Sequence, residues 1–404
     1  MTELVRDSLD HCVKCTICET FCPYSQVTPL FPGPKYVGPQ AERYRGSGAS
    51  VDVSVDYCSG CGICTQVCPQ GVKIAEINSQ ARAQLWEERG VPLRNQLIAR
   101  PSVLGRVGTP VAPLANWALG NRPLRRLADR VLGIHRDAPM PRFAGRTFQR
   151  WARDHRSSVA DRNVVYFHGC GINYYEPAVG EMVVAVLEHN GFQVLVPAQD
   201  CCGLPLQSNG NFEAARAYVR RLVANLAQYA RDGLPIVASS TSCGLMLKRE
   251  AREILGVEDD DLKVVSEATY DVCEFLLLLH DRGELRTDFQ PLPLTVPYHA
   301  PCQQRGHGIG KPALDLLALI GDLRVIELDV DCCGIAGTYG LKKEKYEISM
   351  AVGEGLFTAL RDVGGELAAC DSETCRWQIE HGAGVRAVHP VELLHRAYGL
   401  GAAA

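Results

Sequence analysis

The stretch Asp200–Pro205 reads "DCCGLP", and a second pair of adjacent cysteines lies in "DCCGIAG" at Asp331–Gly337. Neighbouring Cα atoms across a trans peptide are about 3.8 Å apart, whereas an ordinary disulfide joins Cα atoms roughly 4.4–6.8 Å apart. A strained disulfide is a poor explanation for a motif that occurs twice. The sequence therefore predicts that each pair of thiolates binds another group.

Both pairs belong to a longer repeat. The first unit contains Cys170, Cys201, Cys202 and Cys243, and the second contains Cys302, Cys332, Cys333 and Cys375. Corresponding cysteines are 131 or 132 positions apart. Spacing this constant indicates an internal duplication.

Each unit alternates strand-like and helix-like segments, which predicts parallel β-α-β packing. The strand-like segments are "NVVYFHG", "FQVLVP" and "LPIVASS" in the first unit and "LTVPYH", "LRVIELD" and "GELAAC" in the second. Each repeated cysteine follows a predicted strand. Because parallel sheets bind ligands beyond the carboxyl ends of their strands, we expect four thiolates to converge in each unit. Gly203 and Gly334 are expected to let the backbone pass close to the bound group.

Adjacent thiolates suit a multi-iron cluster, because they can reach different irons, whereas they would crowd a single zinc ion. We therefore expect one iron–sulfur cluster in each unit. Zinc or a regulatory dithiol is the alternative at this point.

The N-terminal region contains two boxes of the form C-x2-C-x2-C-x3-C-P, ending at Pro23 and Pro69. This is the run of bacterial two-cluster ferredoxins, in which the fourth cysteine of each box ligates the other cluster. One predicted [4Fe-4S] cluster is held by Cys12, Cys15, Cys18 and Cys68, and the other by Cys58, Cys61, Cys64 and Cys22. Structural zinc is the alternative, but zinc sites usually have separated C-x2-C pairs. The segments "PQAERYR" and "AEINSQARAQLWEERG" favour a helical ferredoxin domain.

The composition is that of an ordinary globular protein: 404 residues, 46% hydrophobic, 22% charged and a net charge of −4. Nothing in it points to nucleic acid. The N-terminus lacks the features of a secretory signal, and no apolar run is long enough for a transmembrane helix. The 18 cysteines are then expected in a reducing, cytosolic environment, where they are more often metal ligands than disulfides.

The segment 94–156 has an unusual charge pattern, with thirteen arginines, no lysine and three aspartates. Within it, "PLRRLADRVLGI" is predicted to place Leu124, Leu127, Val131 and Ile134 on one helical face. A basic amphipathic helix can lie on an anionic membrane surface. It can equally be a linker helix docked on the protein, and both interpretations stay open.

These features predict an α+β multi-domain fold. The expected domains are a helical two-cluster ferredoxin domain (1–93), a basic amphipathic linker (94–160) and two α/β units with parallel strands (161–290 and 291–404). We call the last two CCG units, after the Cys-Cys-Gly motif that each contains.

Other residues have more ordinary interpretations. His168 and His299 are expected to be hydrogen-bonded histidines at strand ends, with a cluster contact or proton delivery as the alternative. Cys273 is expected to be a buried helix residue. The stretch "GHGIGK" does not fit a phosphate loop, and no dinucleotide fingerprint is present. Substrate oxidation is therefore expected to occur on another chain.

Two ferredoxin boxes followed by two CCG units resemble the iron–sulfur subunits of glycolate oxidase, heterodisulfide reductase and anaerobic glycerol-3-phosphate dehydrogenase. The stretches "GPKYVGPQAER", "STSCGLML", "YHAPC", "CCGIAGTYGLKKEKY", "ETCRWQIE" and "GTPVAPL" are most similar to the C subunits of the last family. The wider family often ends each unit in C-x-x-C, but Ser240 and Ser372 replace the first cysteine here. Cys370 is a possible displaced substitute, so the type of cluster in these units stays open.

The resemblance implies an iron–sulfur subunit that passes electrons from a flavin-containing dehydrogenase subunit to menaquinone. It also implies a peripheral position on the cytoplasmic face of the inner membrane. The alternatives are a glycolate or lactate oxidase subunit, a disulfide or quinone reductase with chemistry at a CCG cluster, and a zinc-stabilised scaffold.

Overall fold

The computed structural model describes residues 2–45, 52–157, 159 and 162–401. It confirms a helical N-terminal region followed by two α/β units with parallel strands. The expected boundary between the linker and the first unit, at 160–161, falls outside the described residues.

The N-terminal region consists of short helices joined by loops. They are α1 (Glu3–Ser8), α2 (Ile17–Thr20), α3 (Ala41–Arg45), α4 (Ile63–Gln66) and α5 (Ile74–Arg89), with 3-10 turns at Leu9–His11 and Val53–Tyr57 and a π turn at Tyr36–Gln40. α2 and α4 each begin inside a cysteine box. The long helix α5 follows the second box, as predicted.

The next segment is also helical. It comprises α6 (Leu93–Ile98), α7 (Pro101–Gly108), a 3-10 turn (Thr109–Val111), α8 (Ala112–Gly120), α9 (Arg122–Leu132) and α10 (Phe148–Asp154). The side chain of Asn121 caps α9 by accepting from the Leu124 amide at 3.1 Å, and Gly133 ends the helix in a left-handed conformation.

α9 rests on the protein through its polar face. Arg125 donates to the carbonyls of Arg136 and Ala138 at 2.7 and 2.6 Å, while Leu127 and Val131 are 57% and 69% exposed. An amphipathic helix docked on a core would bury its apolar face instead.

The expectation that Ile134 continues the apolar face of α9 is wrong. The helix ends at Leu132, and Ile134 forms an isolated bridge with Lys342. The cause is Gly133, whose φ of 66° turns the chain away from the helix axis.

The first unit contains a four-stranded parallel sheet with strand order β2-β1-β3-β4. The strands are β1 (Arg162–Phe167), β2 (Phe192–Leu195), β3 (Ile236–Ala238) and β4 (Thr269–Asp271). The helices are α11 (Gly169–Tyr174), α12 (Pro177–His189), α13 (Leu204–Ser208), α14 (Phe212–Arg231), α15 (Thr241–Leu245), α16 (Ala251–Glu253), α17 (Asp260–Ala268) and α18 (Val272–Asp281), with a π turn at Met246–Glu250.

The second unit repeats this topology with strand order β6-β5-β7-β8, again parallel. The strands are β5 (Leu294–Tyr298), β6 (Leu323–Glu327), β7 (Leu367–Ala369) and β8 (Arg386–Val388). The helices are α19 (Cys302–Gly306), α20 (Pro312–Leu317), α21 (Tyr346–Val363), α22 (Glu373–Ala383) and α23 (Pro390–Ala397), with a 3-10 turn at Tyr339–Leu341.

The edge strands β4 and β8 were not among the predicted elements. Each has three residues, too few for a two-residue alternation to stand out. They form because β3 and β7 offer an open edge to which a short extended segment can bond.

One hydrophobic core joins the two units. It includes Tyr166 and Val183 of the first and Tyr298 and Leu316 of the second. The units therefore pack as two halves of one body, which decides how their cysteine-bearing edges face each other.

Candidate metal centres

The two cysteine boxes have the same backbone conformation. Left-handed residues flank the second cysteine in each: Lys14 and Thr16 in the first box, Gly60 and Gly62 in the second. These turns curl the loop, so that thiols two residues apart along the chain point towards a common centre. The following short helix, α2 or α4, carries the third cysteine of its box.

The fourth cysteine of each box lies with the other box. Cys12, Cys15, Cys18 and Cys68 line one small cavity, and Cys22, Cys58, Cys61 and Cys64 line another. This grouping is the one that crossed ligation requires. The structure thus brings together both predicted sets of four thiols, while their ligation of metal stays a prediction.

In the first unit, three loops bring four thiols to the carboxyl edge of the sheet. Cys170 follows β1, Cys201 and Cys202 follow β2, and Cys243 lies in α15 after β3. The Sγ atoms of Cys170 and Cys201 are 3.6 Å apart. Gly169 is needed here, because a Cβ at its left-handed position would lie 2.9 Å from the Cys243 Sγ.

The second unit repeats this arrangement. Cys302 begins α19, Cys332 and Cys333 follow β6, and Cys375 lies in α22 after β7. The Sγ atoms of Cys333 and Cys375 are 2.9 Å apart. Cys370 is fully buried beside Cys375, so the second unit has a fifth thiol at its edge.

Gly203 and Gly334 have a packing role that the sequence did not predict, while their expected close approach to a bound group stays a prediction. Both are left-handed, but a Cβ at Gly334 would lie 2.0 Å from the carbonyl oxygen of Ser349 in α21, and one at Gly203 would lie 2.9 Å from that of Ala215 in α14. The glycines therefore let the cysteine loops pack against a helix backbone. Their amides also face sulfur, since Gly334 N–H donates to the Cys332 Sγ at 3.4 Å.

Both units open onto one cavity of about 240 Å³. Its wall includes Cys170, Cys202 and Cys243 of the first unit, Cys302, Cys332, Cys333 and Cys375 of the second, and Cys61 of the N-terminal region. The units face each other across it, and Ser240 of one donates to the Glu373 carboxylate of the other at 3.1 Å. Three predicted cysteine sites are thus adjacent in space.

Tyr24 joins the N-terminal region to the second unit, and sequence reasoning did not single it out. It is 1% exposed, lines the cavity of Cys22 and donates to the Gly334 carbonyl at 2.9 Å. Its ring meets Tyr339 edge to face at 5.2 Å. The available signal was its place directly after the C-P end of the first box.

The thiols are held in a low-dielectric environment. Burial raises the pKa of Cys18 to about 11, and burial also contributes to a raised pKa at Cys64 and Cys243. Cys332 is an exception, because its hydrogen bond with Cys302 and the Gly334 amide lower its pKa to about 7 despite burial. Positive metal ions would offset the cost of burying these thiolates.

The histidines beside the cysteines differ from each other. His168 fits the strand-end interpretation, since its Nδ1 lies 2.7 Å from the Gly169 carbonyl. Both ring nitrogens of His299 are buried without a hydrogen-bond partner among the described residues. Cys273 is fully buried in α18, as expected, beside Asp271 and Asp371.

The residues present fit iron–sulfur clusters. Sixteen cysteines form four groups of four, and in the two repeated units nearly all these thiols are buried at one sheet edge. No cysteine among them pairs in a disulfide in the described chain. Thiolates in this number are the ligands that iron–sulfur clusters require.

Family models match all three regions. The 4Fe-4S dicluster domain matches residues 8–72, and the CCG cysteine-rich domain matches residues 164–248 and 296–380. These matches support iron–sulfur clusters in the chain. No helix in the described residues is both long and apolar enough to cross a membrane.

Relatives match over different lengths. The C subunit of anaerobic glycerol-3-phosphate dehydrogenase from Escherichia coli (strain K12) is 40% identical over 395 residues, covering 96% of this chain and 98% of the relative. The B subunit of fumarate reductase (CoM/CoB) from Methanothermobacter marburgensis is 30% identical over 58% of this chain and 46% of its own length. Lactate utilization protein A 1 of Bacillus mycoides is 28% identical over 58% of this chain and 94% of its own length.

A solved structure of a hypothetical protein from Helicobacter pylori aligns at a TM-score of 0.44 and 11% identity, over 99% of this chain and 74% of that one. A likeness this weak carries no argument. The sequence relatives and the domain matches support an iron–sulfur subunit that transfers electrons. With 40% identity over nearly the full length of both chains, this chain belongs to the family of anaerobic glycerol-3-phosphate dehydrogenase C subunits.

Proposed function

We propose that this chain carries electrons from a flavin-containing dehydrogenase subunit, which oxidises glycerol 3-phosphate, to menaquinone in the membrane. The observation that carries the proposal is the identity of 40% with a relative named as the C subunit of anaerobic glycerol-3-phosphate dehydrogenase. Iron–sulfur clusters supply one-electron redox steps when bound. The chain's own residues hold these clusters, space them and shield them from water.

In this proposal four clusters lie in three domains, and residues 94–160 form a linker between the first two. The ferredoxin domain (1–93) holds two [4Fe-4S] clusters, and each CCG unit (161–290 and 291–404) holds one further iron–sulfur cluster. The ligand sets are Cys12, Cys15, Cys18 and Cys68; Cys58, Cys61, Cys64 and Cys22; Cys170, Cys201, Cys202 and Cys243; and Cys302, Cys332, Cys333 and Cys375.

Electrons would enter through the outer ferredoxin site and leave through the CCG units. Cys15 is exposed and Cys12 is half-buried, so the first site lies near the surface, within reach of a partner protein. Cys61 of the second site shares a cavity wall with the cysteines of both units. Tyr24 fills the space between that site and the second unit.

The linker has apolar side chains both at the CCG cavity and on its outer surface, which supports menaquinone as the acceptor. Leu104, Leu119 and Phe143 line the cavity from inside. On the outside, the same helices expose apolar side chains to solvent: Val103, Val107, Val111, Leu114, Trp117, Leu124, Leu127 and Val131. Exposed large apolar side chains in this number are typical of an interaction site rather than of free surface.

We further propose that this surface lies on the cytoplasmic face of the inner membrane as a peripheral contact. Arg126 and Arg130 of α9 are exposed beside Leu127 and Val131, so the helix offers both apolar and cationic groups to lipid. Anionic headgroups complement this combination.

The test is anaerobic assembly with a flavin-containing glycerol-3-phosphate dehydrogenase subunit. We expect glycerol 3-phosphate to reduce a menaquinone analogue when both proteins are present, and to reduce only a soluble dye with the flavin protein alone. Cys61→Ser should abolish quinone reduction and keep dye reduction, whereas Cys273→Ala, a buried cysteine outside the sites, should keep both. Failure to reduce the quinone with all clusters in place would overturn the proposal.

Lactate or glycolate oxidation is the second candidate, because Lactate utilization protein A 1 is 28% identical over 58% of this chain. The same assay separates the two when lactate and glycolate are offered as electron donors. A disulfide reductase or a zinc scaffold has less support, since the relative that matches nearly full length is named as part of a dehydrogenase.

A further inference from the structure

One nitrogen donor lies among the thiols of the second unit. His299 directly follows β5, and a ring nitrogen of His299 and the Sγ atoms of Cys333 and Cys375 all lie within 4.8 Å of one another. Nitrogen and sulfur ligands on one tetrahedral metal are roughly 3.6 Å apart, as bond lengths of about 2.0 and 2.3 Å require. The imidazole is therefore close enough to the two thiols to ligate a metal of the same centre.

Nothing else in the described chain competes for this imidazole. His299 is 1% exposed, and neither ring nitrogen has a hydrogen-bond partner among the described residues. Its main chain is fixed, because its amide donates to the Ala369 carbonyl at 3.0 Å. Buried polar atoms in native proteins nearly always have partners, so two without one indicate a group that the protein chain does not supply.

Other buried histidines near the sheet edges have partners within the chain. His168 bonds to the Gly169 carbonyl at 2.7 Å through Nδ1. His389 bonds to the Ser239 carbonyl at 3.0 Å through Nε2 and accepts from the Val391 amide at 3.1 Å through Nδ1. Nε2 of His168 and Nδ1 of His307 also have no partner among the described residues, but each of these rings bonds through its other nitrogen. Burial alone therefore does not leave both nitrogens of an imidazole without partners in this fold.

Comparison of the two repeated units shows that the His299 imidazole has no equivalent in the first unit. The position equivalent to His299 in the first unit is Phe167, and the position equivalent to Cys370 is Ala238. Both are core residues without ligand atoms. The second unit thus has an additional imidazole and an additional thiol at two positions where the first unit has apolar side chains.

We propose that His299 is a nitrogen ligand of the metal centre in the second unit, beside its cysteine thiolates. The inference rests on the proposed iron–sulfur centre in that unit. Where a neutral imidazole rather than an anionic thiolate ligates one iron, the cluster carries less negative charge, which raises its reduction potential. The two duplicated units would then be unequal, with the second the more easily reduced.

The test uses the whole protein, purified anaerobically and labelled with [15N]histidine. Pulsed EPR at potentials that reduce each centre in turn should detect a histidine nitrogen at the coupling strength of a direct ligand. This signal should disappear in His299→Ala and persist in the matched control His168→Ala. The labelled wild-type protein needs no substitution, so the measurement does not depend on a variant that folds.

A redox titration gives a second readout. In His299→Cys, a thiolate replaces the imidazole, and the midpoint potential of one centre should fall while the others stay unchanged; His168→Cys should change none. Iron in the second unit without a directly bound histidine nitrogen, including a coupling of only hydrogen-bond strength, would overturn the ligand. If that unit holds no iron, the cluster assignment fails before the ligand is considered.

Discussion

At the residue scale, the conformation of single backbone positions decides where the thiols point. Gly60 and Gly62 are left-handed on either side of Cys61, and Lys14 and Thr16 take the same conformation around Cys15. A residue with a Cβ pays about 1 kcal/mol for this conformation, so the first box is the more strained of the two. Its curl is still the one that brings three thiols together.

The exchange of the fourth cysteine is testable by substitution. Cys22→Ser should damage the cluster held by Cys58, Cys61 and Cys64, because Cys22 lines their cavity. Low-temperature EPR of Cys22→Ser and Cys68→Ser should show losses opposite to the boxes in which the substitutions lie. If each variant loses the cluster of its own box, crossed ligation is wrong.

Gly334→Ala adds only one methyl group, but we expect it to destabilise the second unit strongly. An alanine Cβ would meet the Ser349 carbonyl at 2.0 Å, so Gly334→Ala must displace either the cysteine loop or α21. We expect a destabilisation of a few kcal/mol and loss of one cluster's absorbance.

Gly337 is the matched control in the same loop. It is also left-handed, at a φ of 61°, but nothing lies within 4 Å of the position of its Cβ. Gly337→Ala should therefore cost about 1 kcal/mol through backbone strain alone and keep every cluster. Thermal unfolding followed by visible absorbance compares the two, and equal effects would contradict the close-approach argument.

At the scale of elements, α5 shows that polar residues of a helix can be buried when the helix has protein neighbours on more than one side. It has little amphipathic character, yet Glu76, Asn78 and Arg82 are at most 4% exposed. The helix lies between the second box and the first unit, and Arg82 donates to the Ser208 carbonyl at 2.8 Å. Arg82 also donates to the Cys58 carbonyl, so this one side chain bonds to both neighbours of the helix.

The ion pair between Asp56 and Lys345 joins the second box to α21. Lys345 Nζ also donates to the Asp56 carbonyl at 2.6 Å. Burial would raise the pKa of Asp56, but the charges of Lys345, Lys342 and Arg82 outweigh burial and hold it below the ordinary 3.8. Stability from this pair is thus present above about pH 4 and is lost as the pH falls below that value.

We expect Lys345→Met to destabilise the protein by about 3–5 kcal/mol at neutral pH, because it leaves the Asp56 carboxylate buried without its partner. The control is Lys343→Met, whose side chain is 56% exposed in its pair with Asp129 and should cost at most about 1 kcal/mol. Denaturant unfolding of both variants measures the difference. A loss at Lys345 no larger than at Lys343 would show that the interface does not depend on the pair.

α9 provides the test of membrane contact. Arg126→Gln with Arg130→Gln should weaken flotation with anionic liposomes, each arginine contributing about 1 kcal/mol at low salt. Leu127→Ser with Val131→Ser should weaken binding that persists at high salt, because the apolar contact is not screened. Arg125 should be left intact, since it holds the helix on the protein.

Flotation should be compared on anionic and neutral vesicles, with cluster absorbance as the check that each variant is folded. Equal binding to both kinds of vesicle, or binding to neither, would contradict a membrane role for α9. The exposed apolar face would then be a surface for another protein of the complex.

At the scale of the whole molecule, the four proposed sites predict a metal content. Anaerobically purified protein should contain iron and acid-labile sulfide at roughly sixteen each if every site holds a four-iron cluster. Metal analysis and sulfide assay measure this directly. Stoichiometric zinc with little iron would contradict the iron–sulfur interpretation.

The positions of the cysteine sites, from the surface to the interior, also bear on the function of the chain. The cysteine set containing Cys15 reaches the surface, while Cys61 meets both repeated units at one cavity. The linker that covers this cavity exposes its apolar side chains to the outside. One cysteine site near the surface, a second site in the interior and an apolar outer surface on the linker together suit a chain that passes electrons onward.

The sequence by itself determined the fold class and the duplication, and it predicted the membership of each cysteine set. Ligand spacing is local: a C-x2-C-x2-C-x3-C-P run bends one loop, and a strand followed by "DCCG" brings two thiols to a sheet edge. Because the motif repeats after 131 or 132 residues, the same prediction applies to both units. These conclusions depend on neighbours along the chain, which the sequence contains.

Only the tertiary structure decided how the units meet. Three findings depend on residues far apart in the chain. Cys61 faces both CCG units, Tyr24 reaches Gly334, and His299 has no partner among the described residues. The direction of α9 is decided partly in the same way, because Lys343 of the second unit pairs with Asp129 on the polar face of the helix. Periodicity locates a helix's apolar face, but only packing determines what that face touches.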